Sequence, residues 1–143
     1  MNEGMTSENG RGGDEQAVRV LIADDQRPTR QALSALLTLL PQPVNVVGEA
    51  GDGETAVRLV EELRPDVVIM DVQMPGLDGL AAAGQIKRRW PEVRVAILTL
   101  YPGYRGRARA AGIDTFLLKG CPVEELWAAV ALEQNAVPRR QEP

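Results

Sequence analysis

Five short apolar runs, each ending at a polar residue and each followed by a stretch of helical period, constrain this chain more than any other feature. They occupy residues 18–23, 44–50, 67–70, 93–98 and 115–118. Such runs are rich in Val, Ile and Leu and lack the polar alternation of a half-exposed strand, which suits strands buried on both faces. Between them, apolar residues recur three and four apart: Leu33, Leu36, Leu37 and Leu40, then Ala56, Leu59, Val60 and Leu63. The last segment repeats the pattern with Val123, Leu126, Ala129 and Val130. The spacing predicts five β–α units: an α/β domain with a doubly wound parallel sheet covered by helices on both sides.

Punctuation places the helices. Pro28 suits a first helical turn, and Pro41 and Pro43 end that helix. The second helix runs to about Arg64 before Pro65, and the third spans roughly 77–89 before Pro91. Segment 102–112 should be the fourth, but Pro102, Gly103 and Gly106 make it short. The fifth begins near Pro122. Residues 1–16 are polar and without period and are expected to be a disordered lead-in. The domain is expected over 17–135, and residues 136–143 as a flexible tail.

Composition removes several classes of chemistry. A chain of 143 residues is one domain's worth and can bury a proper core. No apolar run reaches the ~20 residues of a membrane-spanning helix, and the N-terminus lacks the apolar centre of a signal peptide. With a single cysteine, Cys121, the chain reads as cytoplasmic. A net charge of -4 argues against direct nucleic-acid binding. Most telling, there is no histidine. His-paired nucleophiles and His-ligated metals are excluded, and carboxylates, lysine, hydroxyls and a hard cation remain.

Function in such a sheet sits at the carboxyl ends of the strands. Those tips carry Asp24 and Asp25, then Asp71, Thr99 and Lys119. In a sheet of order 2-1-3-4-5 the first and third strands would be neighbours, and three aspartates would converge on one crevice. Carboxylates this close repel one another unless a cation is shared. Oxygen ligands alone favour Mg2+, with Mn2+ as a substitute, and Lys119 adds a fixed positive charge. This set suits phosphoryl transfer to a carboxylate, with charge on the phosphoryl oxygens met by metal, lysine and the Thr99 hydroxyl.

The segments LIADD, VIMDVQMPGLDG, AILT and FLLKG, with EAGDGETAV after the second strand, resemble the receiver domain of two-component response regulators. They look closest to receivers of helix-turn-helix transcription factors. The resemblance implies a flavodoxin-like (βα)5 fold with sheet order 2-1-3-4-5. It implies that Asp71 accepts the phosphoryl group, that Asp25 binds Mg2+ directly and Asp24 through water, and that the Gln73 main-chain carbonyl is a further ligand. Thr99 and Phe116 match the switch pair, and Lys119 the lysine that contacts the phosphoryl group. Gln73 and Tyr101 should line the site mouth, with Tyr101 shielding the phosphorylated aspartate from water. The implied partners are a histidine kinase or phosphotransfer protein upstream and a protein or output domain downstream, with a homodimer on phosphorylation. The implied activity is not enzymatic turnover; the chain catalyses only its own phosphorylation and dephosphorylation. Leu100 after Thr99 and Gly120 after Lys119 depart from the family, which often has a smaller residue and a proline there.

Each residue also has a plainer reading. Asp24-Asp25 could cap a helix, Cys121 could be a small apolar residue, and Trp90 and Trp127 packing residues. The arginines at 105, 107 and 109 form a solvated face by default. Alternatives to a stand-alone switch are the receiver half of a DNA-binding regulator and a receiver-like adaptor not controlled by phosphate. A small-molecule phosphatase would want an acid two past its nucleophile, where Gln73 stands. An FMN carrier would need a phosphate cradle where Asp24-Asp25 would repel one.

Overall fold

The computed structural model describes residues 17–131; the expected lead-in, the tail and the last residues of the expected domain lie outside them. The strands β1 (Val18–Ala23), β2 (Val44–Ala50), β3 (Val67–Met70), β4 (Arg94–Thr99) and β5 (Thr115–Leu118) form one sheet in the order β2-β1-β3-β4-β5. All pairings are parallel. The helices are α1 (Arg27–Leu37), α2 (Gly53–Leu63), α3 (Gly79–Arg89), α4 (Arg105–Ala110) and α5 (Val123–Val130). This is the expected α/β architecture.

Alternate strand residues feed two separate cores, which is why the strands read as unbroken apolar runs. Leu21, Val68, Met70, Val95 and Ile97 pack on the side of α2 and α3. Val20, Ile22, Val67, Ile69, Ala96 and Leu98 pack on the side of α1 and α5. Full burial of each Val, Leu, Ile or Met among them contributes roughly 1.5–3 kcal/mol.

The helix faces follow the expected periodicity with one exception. Leu33, Leu37 and Leu40 are buried, whereas Leu36 is 41% exposed. It sits about 100° around the helix from Leu37 and lines a groove between α1 and α5 with Leu33 and Leu126. Helix α1 also stops at Leu37, ahead of Pro41, on a turn in which Thr38 N–H donates to the Ala35 carbonyl at 3.2 Å and Leu39 N–H to the Leu36 carbonyl at 3.1 Å. Helix α3 begins at Gly79, later than expected, because Asp78 caps it by accepting from Ala81 N–H at 2.9 Å. Segment 102–112 divides into a 3-10 turn at Pro102–Tyr104 and the six-residue α4, ended at Gly112 with φ of 80°. Trp90 is a packing residue: it is buried, with the Arg89 guanidinium 4.3 Å and that of Arg64 5.3 Å from its ring.

One glycine ties the fold to the strand tips. Gly79 N–H donates to the Val72 carbonyl at 2.8 Å, and a Cβ at Gly79 would run into the Asp71 carbonyl oxygen. A Cβ at Gly84, in the middle of the same helix, would meet only the far end of Arg88 at 3.4 Å. Gly79→Ala should therefore lower stability by about 1–3 kcal/mol through overpacking. Gly84→Ala should raise it by about 0.5–1 kcal/mol through helix propensity. Urea midpoints of the two variants check this, and equal shifts would contradict it.

Candidate functional site

The order of the sheet brings the first and third strand tips side by side. Asp24 N–H donates to the Ala50 carbonyl and Asp71 N–H to the Ala23 carbonyl, each at 2.9 Å, so both acids leave the sheet from hydrogen-bonded backbone. Asp24 and Asp71 are 4% and 8% exposed, and Asp25 is exposed. Carboxylate oxygens of all three lie within 4.8 Å of one another.

Every oxygen of the two buried acids has a partner. Asp71 Oδ1 accepts from Val72 N–H at 2.7 Å, and its Oδ2 accepts from Lys119 Nζ at 3.0 Å. Asp24 Oδ2 accepts from the same Nζ at 2.9 Å, and its Oδ1 accepts from Gln26 N–H at 2.8 Å. Lys119 thus bridges two carboxylates that would otherwise repel. Burial alone works to lower the Lys119 pKa. Its hydrogen bonds and charge contacts with Asp24 and Asp71 outweigh that and hold it above its ordinary value of 10.5. Asp24-Asp25 is not a cap pair, because the N-cap of α1 is Gln26, without a side-chain cap bond.

The donor set fits a hard divalent cation. It offers three carboxylates within reach of one ion, with no imidazole and no thiolate in the cluster. Asp25, exposed beside two engaged acids, has no side-chain hydrogen bond or ion pair of its own among the described residues.

Of the other expected residues, Thr99 is fully buried at the tip of β4, where its Oγ1 accepts from Tyr101 N–H at 3.4 Å. Its carbonyl accepts from Lys119 N–H at 2.8 Å, which ties the β4 and β5 tips together. Gln73 is exposed in the loop after β3, and its Nε2 donates to the Tyr104 hydroxyl at 3.3 Å. Tyr101 is 47% exposed and meets the Tyr104 ring edge-on at 6.2 Å. Phe116 stands apart from the acids. It is half-buried against the α2–α3 core, with the Arg105 guanidinium 4.7 Å from its ring, and the two line a cavity of about 210 Å³. Cys121 lies on the groove between α1 and α5, and burial first, then Glu125, pushes its thiol pKa up. That favours the plain apolar reading.

Two residues at the site were not anticipated. Tyr104 joins the loop after β3 to the loop after β4. Arg30 donates from Nη1 to the Asp24 carbonyl at 2.6 Å and pairs through Nε with Glu49 at 2.8 Å. The aromatic pair Tyr101/Tyr104 was a visible signal for the first, and nothing in the sequence singled out the second. Gly120 has φ of 91°, which a proline cannot adopt, so the loop after Lys119 follows a course closed to the family's frequent proline.

A family model described as the response regulator receiver domain matches residues 20–131. The chain is 39% identical over 118 residues to the transcriptional regulatory protein DesR of Bacillus subtilis, covering 82% of this chain and 59% of DesR. It is 36% identical to the response regulator GacA of Pseudomonas aeruginosa, covering 79% of this chain and 53% of GacA. The chain therefore spans only part of the length of these curated relatives. Among solved structures, it is similar to the signal receiver domain of the putative response regulator NarL from Mycobacterium tuberculosis. The TM-score is 0.73 at 36% identity, over 80% of this chain and 94% of that one.

The Lys119 bridge has a pH signature. Because the folded pKa lies above 10.5, its stabilisation is fully present below that value and is lost as pH rises through the folded pKa. Lys119→Met, which leaves an oxygen of each of two buried carboxylates without its donor, should cost about 1–3 kcal/mol at pH 7. Urea unfolding with chelator present should show a constant gap between wild type and variant from pH 7 to ~9.5, closing above ~10.5. A gap that widens with pH over that range would contradict the bridge.

Proposed function

The chain belongs to the response-regulator receiver family, and from that premise we propose that it is a phosphorylation-dependent switch with Asp71 as the acceptor. The observation that carries this reading is the joint geometry of the crevice: three carboxylates within 4.8 Å and one lysine bridging two of them. A carboxylate oxygen of Asp71 attacks phosphorus in line. The donor's bond to phosphorus breaks, and its electron pair leaves with the donor. The donor is a phosphohistidine of a partner kinase or phosphotransfer protein, since this sequence has no histidine.

Asp25, Asp71 and the Gln73 main-chain carbonyl would hold Mg2+, with Asp24 acting through water, and the ion when bound would neutralise charge on the phosphoryl oxygens. The Lys119 ammonium, already 3.0 Å from an Asp71 oxygen, holds another phosphoryl oxygen. The Thr99 hydroxyl has one contact to give up, at 3.4 Å, and turns to a third. Phe116 moves inward behind it, leaving the Arg105 guanidinium. The chain turns over no other substrate.

The change passes through the 3-10 turn and α4 to a partner protein, a second copy of the chain or an output region. DesR is named a transcriptional regulatory protein and spans a longer chain, which favours a DNA-binding regulator as the setting of this domain. These residues do not themselves read DNA. Among the described residues no helix is long and apolar enough to cross a membrane.

Incubation with Mg2+ and acetyl phosphate, followed by intact mass measurement, should add one phosphoryl group to wild type and none to Asp71→Asn. No gain in wild type, or an equal gain in the variant, would end this reading. In this reading Tyr101, whose ring meets Tyr104 beside the Gln73–Tyr104 bond, shields the phosphorylated Asp71 and slows the approach of water. Autodephosphorylation of Tyr101→Ala should therefore be about two- to tenfold faster than wild type, a barrier change of up to ~1.4 kcal/mol. A slower variant would contradict the shield.

A further inference from the structure

Asp25 is the acid of the crevice with nothing to hold it. Asp24 and Asp71 are pinned through both carboxylate oxygens, whereas Asp25 is exposed and has no side-chain partner among the described residues. Its direction is therefore set by the backbone from which it hangs, and above all by the peptide plane that joins it to Asp24. The carbonyl of that plane accepts from Arg30 Nη1 at 2.6 Å. Arg30 reaches it from the first turn of α1 while its Nε is paired with Glu49 of the neighbouring strand β2 at 2.8 Å. The Arg30 side chain is only 17% exposed. A guanidinium engaged at two points loses little further freedom and fixes direction better than a point charge would.

Resting on the metal site proposed above, we infer that Arg30 is a positioning residue for Mg2+. It locks the Asp24–Asp25 peptide between α1 and β2 so that the Asp25 carboxylate faces the other two acids. Arg30 touches neither metal nor phosphoryl group; it acts through the orientation of Asp25. Partners of this kind around a metal site are commonly worth tenfold or more in metal affinity.

The sign of the effect separates this role from plain electrostatics. Removing a positive charge beside a cation site tightens cation binding by Coulomb's law. Loss of positioning weakens it. Arg19 provides the structural control: it carries the same kind of contact, Nη1 to the Leu63 and Arg64 carbonyls at 2.8 Å each, away from the strand tips.

The test is calorimetric titration of the whole chain with Mg2+ at fixed ionic strength, with urea stability measured alongside. Arg30→Ala should weaken Mg2+ binding about tenfold, and Arg19→Ala should leave it unchanged although it too loses stability. Unchanged or tighter binding in Arg30→Ala, or equal weakening in both variants, would overturn the inference. If Arg30→Ala does not fold, Arg30→Lys decides. With the charge kept but the two-point reach lost, binding must still weaken, and affinity equal to wild type would overturn the role. A wild-type chain that binds no Mg2+ would instead remove the metal site itself, and this inference with it.

Discussion

Repulsion among three carboxylates at neighbouring strand tips is the constraint around which the upper end of this molecule is organised. Two of the acids are almost fully buried, where an unpaired charge is expensive. The structure answers with one lysine, delivered from the far strand β5 across β4, that contacts both at 2.9 and 3.0 Å. Backbone N–H groups of Gln26 and Val72 take the remaining oxygens. The third acid is left outside this network and faces water. Such a site is stable at rest and still incomplete in charge, so it has a standing use for a divalent cation and for a group that brings negative oxygens to the lysine.

Much of this could be read in the sequence, for identifiable reasons. Strands buried on both faces leave unbroken apolar runs, so β1, β2, β3 and β5 fall at the expected residues. Parallel β–α repetition fixes which ends of the strands gather, so Asp24, Asp25, Asp71, Thr99 and Lys119 could be grouped before any coordinates. The strand order itself came with the family resemblance and not from the periodicity. What periodicity could not settle was the width of the helical stripe: Leu36 obeys the spacing and yet faces the α1–α5 groove. Nor could it place loop side chains, whose directions depend on tertiary geometry. Tyr104 over Gln73, Arg30 on the Asp24 carbonyl and Arg105 on Phe116 are all contacts between elements distant in sequence or set by a turn.

The same geometry explains how a local chemical event can reach a surface. Thr99 is joined to Lys119 through its carbonyl and to Tyr101 through its hydroxyl, and Tyr101 leads into the 3-10 turn and the six-residue α4. In the proposed switch, drawing the Thr99 hydroxyl toward Asp71 releases the Tyr101 N–H. The segment that then adjusts contains α4, the shortest α-helix among the described residues, with one buried residue, Ala108, holding it to the core. A helix held by so little buried surface rearranges at low cost, and it carries the arginine that stacks on Phe116.

The central claim is that the phosphoryl group lands on Asp71 and on neither of its two acidic neighbours. The most direct measurement is borohydride reduction of the protein after treatment with acetyl phosphate and Mg2+, followed by peptide mass spectrometry. Reduction converts an acyl phosphate on aspartate to homoserine, which marks the position. The account predicts a single mark at position 71, absent when Mg2+ is chelated. A mark at position 24 or 25, or a phosphoryl group on a hydroxyl that resists reduction, would contradict it.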